Sequence, residues 1–249
     1  VPLILWFGWR GMFQILGIVG LVYVFFYALF VKQTKPQEET EEDKGKKNKY
    51  FLHLLKFSLI WKLILCAFCI SCINKGLDAW MPTYLIAERG INLKAVGYLT
   101  PIPFIASFLS TAICGWVMNK YFDKKENWMI VICAAMTAIF LYFMYNAETI
   151  MWVVIFQCGV YFFKACIMGT AVAIVLKIVT GSIAGCTSTL INMGGQVAGF
   201  ISPIIMGYLV YAFNGSFNAV FYYLMGVAAL CAISALLIPT RKEDMLDLE

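Results

Sequence analysis

The sequence is short of charge: only 13% of its 249 residues are Asp, Glu, Lys or Arg, and it contains a single histidine. A soluble domain carries about 25% charged residues, so this chain has too few to cover a surface that faces water. Hydrophobic residues make up 62% of the chain and aromatic residues 16%. The composition excludes an ordinary soluble globule and favours a protein embedded in a lipid bilayer.

The sequence also lacks the side-chain groupings of an enzyme. It has no nucleophile, histidine and acid in a catalytic spacing, no phosphate-binding glycine loop and no paired acids in a polar segment. The lone His53 has no second ligand at metal spacing, and the nine cysteines lie in apolar segments, where thiols act as small packing groups. We therefore predict no enzyme activity, no cofactor and no metal site.

Long apolar runs are what the sequence has in abundance. A helix needs roughly 20 apolar residues to cross a bilayer, and a membrane β-barrel would instead show short alternating segments. The runs here are long, continuous and rich in Leu, Ile, Phe, Ala and Gly, which predicts an all-α polytopic membrane protein. Seven segments qualify: 12–31, 57–86, 95–118, 128–147, 150–177, 183–212 and 217–238.

The basic residues predict how the helices are oriented. Of the 19 Lys and Arg, 14 lie on one side of the predicted spans and three on the other. The positive-inside rule makes the first side cytoplasmic and places the protein in the cell membrane. The net charge of +5 then reflects topology and not nucleic-acid binding, because no basic patch is interleaved with aromatic residues.

The chain divides unevenly along its length. Residues 1–31 read as the end of an extracellular loop and one helix, 32–56 as a polar cytoplasmic linker, 57–238 as a six-helix bundle and 239–249 as a cytoplasmic tail. One helix on its own side of a linker is an odd arrangement, and position 1 is not methionine. We expect further helices upstream or on a partner chain.

Polar residues fall on one stripe in each of three apolar helices. Segment 57–86 carries Ser71, Asn74, Lys75 and Asp78, segment 150–177 carries Gln157, Tyr161 and Lys164, and segment 183–212 carries Thr189, Asn192 and Gln196. All three sets follow helical spacing. Three such stripes predict a shared polar cavity.

The charges on these stripes have a structural alternative. A charge at the bilayer centre costs roughly 2.5 to 3.5 kcal/mol on insertion scales and commonly marks a substrate or ion path. Lys75 and Asp78, one turn apart, could instead neutralise each other, and Lys164 could extend toward the interface. The side-chain amides on the stripes could equally form hydrogen bonds between helices.

Three segments resemble the Major Facilitator Superfamily: "GWRGMFQILGIVGL" (8–21), "WMPTYL" (80–85) and "GWVMNKYFDKK" (115–125). The last is similar to the superfamily's cytoplasmic loop motif, whose members here are Gly115, Asn119, Lys120, Lys124 and Lys125. Asn119 stands where the family usually has aspartate, although the lysines keep the basic character of the loop. The resemblance implies twelve helices in two halves, of which this chain would supply helices six to twelve.

Within the superfamily, "AGCTSTLINMGGQVAGFISPIIMGYLV" (184–210) is similar to the eleventh helix of anion:cation symporters, in which an asparagine at the position of Asn192 lines the substrate site. "CGWVMNKYF" (114–122) also resembles organophosphate antiporters, which place an arginine where this chain has Asn74. The resemblance implies a transporter of a small organic anion that works by alternating access, with a sugar phosphate as the alternative substrate.

The residues that would form the site follow from the stripes and the resemblance together. Lys75 and Lys164 would attract the anion, and the neighbouring polar groups would hydrogen-bond its oxygens. Asp78 would be a charge partner or a coupling group for a proton or another cation. A membrane receptor or scaffold is the alternative of another class. The predicted substrate-binding residues are Asn74, Lys75, Gln157, Tyr161, Lys164, Asn192 and Gln196.

Overall fold

A computed structural model describes residues 2–30, 55–123, 125–178 and 183–238. These residues form helices joined by short turns, with no strand among them. The linker 32–50, His53, Lys124 and the tail 239–249 lie outside the described residues, so the predictions made for them stay predictions. The helices are α1 (Pro2–Phe30), α2 (Ser58–Ala87), α3 (Leu93–Leu99), α4 (Ile102–Tyr121), α5 (Glu126–Asn146), α6 (Ile150–Ile178), α7 (Ile183–Ala212) and α8 (Asn218–Leu236).

The predicted all-α fold with seven membrane-length helices is confirmed, because seven stretches among the described residues are long and apolar enough to cross a bilayer. Two boundaries differ from the sequence prediction. Helix α1 begins at Pro2 instead of residue 12, with a single non-helical residue, Gly8 (φ 67°), inside it. The predicted helix 95–118 is broken between α3 and α4 at Pro101, which lacks a backbone N–H.

Helix α2 lies at the centre of the bundle and packs on α6, α7 and α8. Its contact with α7 depends on glycines: a Cβ added at Gly195 would lie 2.7 Å from the Ser71 hydroxyl oxygen, and one added at Gly199 would lie 3.2 Å from Cγ of Lys75. The indole of Trp80 donates a hydrogen bond to the Pro203 carbonyl at 3.0 Å. The two helices therefore approach closely along the polar stripe of α2.

Helix α6 is held from two sides. On one side, Ser107 and Ser110 of α4 donate hydrogen bonds to the carbonyls of Tyr161 and Phe162 at 2.9 and 2.6 Å. On the other side, Phe140 of α5 stacks on Phe163 with ring centroids 5.6 Å apart. These contacts fix how α6 is rotated, and so which of its residues face α2.

The bundle leaves large apolar faces uncovered by this chain. Side chains of α1 are exposed along almost its whole length. On α4 and α7 the exposed residues include Phe108, Trp116, Phe200 and Tyr208. The same face of α7 carries the exposed polar side chain of Gln196.

Candidate functional site

An ion pair joins the polar stripes of α2 and α6. Lys164 Nζ lies 3.3 Å from Asp78 Oδ1, and the Tyr161 hydroxyl donates a hydrogen bond of 2.6 Å to the same oxygen. The Lys164 side chain is only 4% exposed, whereas that of Asp78 is 35% exposed. An isolated charge buried among apolar helices is costly, so the carboxylate is what allows Lys164 to remain charged there.

The spacing on α6 sets the geometry of this pair. Tyr161 and Lys164 are three residues apart and share one face of the helix. The Lys164 ammonium lies 3.3 Å from the centroid of the Tyr161 ring, a cation–π contact. Phe104 of α4 packs edge-on against the same ring at 5.2 Å. The phenol is thus wedged between α4 and Lys164, with its hydroxyl directed at Asp78.

Two further predicted site residues adjoin this cluster. Gln157, one turn before Tyr161 on the same face of α6, is buried. Lys75 is exposed, its stem lies on Gly199 of α7, and it is close enough for its charge to act on Lys164. The cluster of Asp78, Tyr161, Lys164 and Gln157 is called the acid–lysine cluster below.

The remaining predicted site residues lie outside the acid–lysine cluster. Asn74 is half-buried on α2, while Asn192 and Gln196 are exposed on α7. Their amides face the surface that this chain leaves open, where they are free to meet a ligand, water or another protein segment.

The ion pair between Lys164 and Asp78 contradicts two of the structural alternatives that the sequence left open for these charges. Asp78 was a possible partner for Lys75 on its own helix, but the carboxylate pairs with Lys164 of α6. Lys164 was a possible interfacial side chain, but it is buried in the bundle. The energetic reason is that Lys75 sits on the exposed side of α2, whereas Lys164 has no other way to be neutralised within the described bundle.

The side chains of the loop motif, at the end of α4 and in the turn after it, are mostly exposed. Gly115, Asn119 and Lys125 are exposed, and a Cβ at Gly115 would meet nothing. The Lys120 ammonium lies over the Trp116 and Tyr121 rings at 4.7 and 5.3 Å.

Beside the motif, the end of α6 is tied to the start of α5. Lys177 Nζ lies 2.6 Å from the Glu126 carboxylate and 3.3 Å from that of Asp123. The hydrogen bond to Glu126, helped by Asp123, raises the pKa of Lys177 above its ordinary value. This pairing therefore holds the α4–α5 turn against α6.

Sequence reasoning missed the residues that support the cluster from α4. Phe104 and Ser107 contact Tyr161 from a helix with no ionisable residue in its interior. A signal was present, since Phe104, Ser107, Ser110 and Cys114 recur at helical spacing and form the stripe that packs on α6. The sequence alone does not show that this stripe lies beside the site, because that position depends on the packing of α4 on α6.

The fold and the acid–lysine cluster can be compared with known proteins. The sequence profile of the Major Facilitator Superfamily matches residues 2–203. The chain belongs to the Major Facilitator Superfamily. A bacterial homologue of the human lysosomal transporter Spinster, in an inward-facing and unoccupied conformation, superposes with a TM-score of 0.57 at 13% identity, covering 97% of this chain and 61% of that one. At that identity the likeness concerns the fold alone.

Curated members of the superfamily with similar sequences are named as transporters of organic anions. The chain is 24% identical to the probable galactarate/D-glucarate transporter GudP of Bacillus subtilis (strain 168), over 95% of this chain and 58% of that protein. It is 25% identical to the hexuronate transporter of the same organism, over 92% and 58%. It is also 25% identical to the probable sulfoacetate transporter SauU of Cupriavidus necator, over 91% and 57%.

The chain thus spans little more than half the length of these superfamily relatives. It is a multi-pass membrane protein of the superfamily, similar to members named for sugar acids, hexuronates and sulfoacetate. What the whole protein transports is addressed next as a proposal.

Proposed function

We propose that the intact protein is a secondary active transporter that carries a small organic anion, such as a sugar acid or another carboxylate, by alternating access. The acid–lysine cluster is the observation that carries the proposal. It places a charged, hydrogen-bonded group inside two membrane-spanning helices, where such groups commonly mark a substrate or ion path. Coupling to a proton or another cation belongs to the same proposal.

The anion would bind in the open region that the three polar stripes border. Lys164 and Lys75 supply positive charge from α6 and α2, and Asn192 of α7 supplies an amide that can donate to carboxylate or hydroxyl oxygens. Asn74, Gln196, Gln157 and Tyr161 complete the proposed set. This mixture of cations, amides and a phenol suits a carboxylate with several hydroxyl groups.

A second six-helix half would complete the transporter. Helices α4 and α7 leave faces exposed that mix aromatic side chains with polar ones such as Gln196. Contact with lipid alone would leave those polar groups unsatisfied, whereas a facing bundle and a central cavity would satisfy them. In this scheme the chain supplies one of the two bundles that rock about a midplane site.

The relatives' names support the substrate class, since galactarate, glucarate, hexuronates and sulfoacetate are all small organic anions. The charge distribution supports a place in the cell membrane with the linker and the C-terminus in the cytoplasm. A sugar-phosphate antiporter, which segment 114–122 also resembles, is tested by the same experiment.

The experiment is uptake by proteoliposomes that contain the purified intact protein. Radiolabelled D-glucarate, D-galactarate, D-glucuronate and sulfoacetate are compared with glucose 6-phosphate and glycerol 3-phosphate. We expect saturable uptake of at least one of the first four and a loss of about tenfold or more in Lys164→Gln, because a charged hydrogen bond to the anion is removed. Lys94→Gln, a change at an exposed lysine of α3 outside the cluster and the loop motif, is the matched control.

Each outcome of this experiment has a distinct meaning. Uptake restricted to the two phosphates would favour the antiporter over the sugar-acid transporter. Uptake that is the same in Lys164→Gln and wild type at equal protein amounts would remove the acid–lysine cluster from the transport path. No uptake of any anion by well-folded protein would favour a receptor or scaffold.

A further inference from the structure

The two charges of the acid–lysine cluster are not equally accessible. Asp78 is about one-third exposed on the open side of the bundle, whereas Lys164 lies behind it with 4% of its side chain exposed. The Tyr161 ring covers the ammonium at 3.3 Å. An anion entering from the open side therefore meets the Asp78 carboxylate first, and Asp78 already occupies the place at Lys164 that the anion would take.

We propose that Asp78 is an internal competitor for Lys164: the transported anion replaces the Asp78 carboxylate at Lys164, and the displaced Asp78 takes up one proton. This inference rests on the proposed function and names its coupling group. The proton comes from water on the loading side and binds a carboxylate oxygen of Asp78. Lys164 keeps its own proton throughout, and no covalent bond to the anion forms.

Charge balance gives the exchange its physical reason. In the empty site the Lys164 ammonium and the Asp78 carboxylate sum to zero. A substrate carboxylate entering beside an ionised Asp78 would add a net negative charge among apolar helices, which is costly. Protonation of Asp78 restores neutrality, so the loaded site again holds one ammonium and one carboxylate. Anion and proton therefore bind together.

The groups around Asp78 allow this role. On α6 it faces Lys164 and Tyr161, and on its own helix Lys75 lies one turn away. The other helices packed on α2 bring no carboxylate: the titratable residues of α3, α7 and α8 whose side chains the structure describes are Lys94, Tyr98, Tyr208, Tyr211, Tyr222, Tyr223 and Cys231. Asp78 is thus the one acid available to exchange with a substrate carboxylate within the described bundle.

Tyr161 would serve both states of the exchange. Its hydroxyl donates to Asp78 in the empty site at 2.6 Å. When Asp78 is protonated and displaced, the same hydroxyl can donate to the incoming carboxylate without moving its ring. The ring is held by the Phe104 edge and by the bond from Ser107 to the Tyr161 carbonyl.

The test is anion binding to the purified intact protein between pH 5.5 and 7.5. The probe is radiolabelled D-glucuronate, which carries a single carboxylate and so a single negative charge. Sugar-acid carboxylates are fully ionised over this range. Because one proton binds with each anion, wild-type affinity should rise by about tenfold for each unit by which the pH is lowered, as long as Asp78 is ionised in the empty site. A flat profile in the wild-type protein would overturn the proposal without any variant.

Asp78→Asn separates competition from a structural role. Without the competing carboxylate, binding should become independent of pH and at pH 7.5 should match or exceed the wild-type affinity at pH 5.5. In pyranine-loaded proteoliposomes the variant should import about one proton fewer per anion, since its coupling carboxyl is gone. Glu88→Gln, the same type of change at an exposed acid of α2's C-terminal end, should keep the wild-type slope.

Other results would contradict the exchange. If Asp78→Asn weakens binding at both pH values, the acid only supports Lys164; if the variant keeps the wild-type slope, the proton binds elsewhere. If Asp78→Asn fails to accumulate, Asp78→Glu is tested in its place. The exchange requires this variant to keep the wild-type pH slope and the wild-type number of protons per anion. Unchanged uptake in Lys164→Gln would remove the acid–lysine cluster from the transport path and the exchange with it, and no uptake of any anion would refute the proposed function itself. A loss of uptake in Lys164→Gln beside an unchanged slope in Asp78→Asn would refute only the exchange.

Discussion

Lys164 reaches Asp78 across two helices, with Nζ 3.3 Å from Oδ1, although 86 positions separate the two residues in the sequence. The pair binds α6 to the central helix α2 at a place where each charge alone would be costly. It also fixes the rotation of the two polar stripes, so that the exposed acid of one lies in front of the buried lysine of the other. Stability and function thus depend on the same contact.

A charge reversal tests the structural side of the pair. Lys164→Asp places two carboxylates together and should lower the melting temperature and the amount of protein in the membrane. The exchange Asp78→Lys with Lys164→Asp should recover part of the loss, with a coupling free energy of about 1–3 kcal/mol in a double-mutant cycle. Thermal unfolding in detergent, followed by size-exclusion chromatography, measures all four proteins.

The control for this cycle combines Asp78→Lys with Lys125→Asp. Net charge changes in the same way, but Lys125 is exposed and lies outside the acid–lysine cluster. No recovery is expected. Equal recovery in both double variants would mean that overall charge, and not the contact between α2 and α6, governs accumulation.

Two glycines of different helices give a matched test of packing. On α6, a Cβ added at Gly159 would lie within the Phe140 ring of α5, while on α8 a Cβ added at Gly226 would meet nothing. Gly159→Ala should destabilise the bundle by about 1–3 kcal/mol through overpacking. Gly226→Ala should be neutral or stabilising by up to about 1 kcal/mol, because alanine is the better helix former. Equal melting temperatures would show that α5 and α6 are not packed as described.

The membrane-length helices could be predicted from the sequence because each depends only on local composition. An apolar run of 20 or more residues has few alternatives in a bilayer. The start of α1 was predicted ten residues too late, although "PLILWF" before Gly8 is apolar enough to continue the helix.

The members of the acid–lysine cluster could be predicted, but its pairing could not. Helical spacing places Asp78 on one stripe and Lys164 on another, yet it leaves their relative rotation open. That rotation is set by contacts distant in sequence, such as the bond from Ser107 to the Tyr161 carbonyl and the glycines of α7 against α2. Periodicity identified the stripes, and packing decided which charges meet.

The Lys177 pairing predicts how stability responds to alkaline pH. Lys177 lies beyond the apolar span of α6, and Glu126 raises its pKa above the ordinary value. A raised pKa in the folded state means that the stabilisation is complete below the ordinary lysine pKa of about 10.4 and is lost as pH rises through the folded value. The pair should therefore stabilise the bundle fully and independently of pH around neutrality, and this contribution should be lost above about pH 10.

Lys177→Met isolates this contribution. The variant should have a lower melting temperature than wild type at pH 8, and the difference should shrink as the pH approaches 11. Lys125→Met, a change at an exposed lysine of the neighbouring turn, should show no such convergence. A difference that stays constant up to pH 11 would mean that the stem of Lys177, and not its charge, holds the turn against α6.

Cysteine labelling tests whether the polar stripe of α7 borders water in the intact protein. Asn192 is exposed on this chain and belongs to the proposed anion site, whereas Ile233 is exposed on α8, a helix without charged residues. Asn192→Cys should react quickly with a membrane-impermeant methanethiosulfonate, because only a hydrated thiol ionises and reacts readily. Ile233→Cys should react slowly.

The parent protein sets the background, since seven of its eight described cysteines are buried and Cys158 is half-buried. Saturating D-glucarate should slow the reaction at position 192 if that anion is bound there. Equal rates at the two positions would place the α7 stripe against lipid and remove Asn192 from the site.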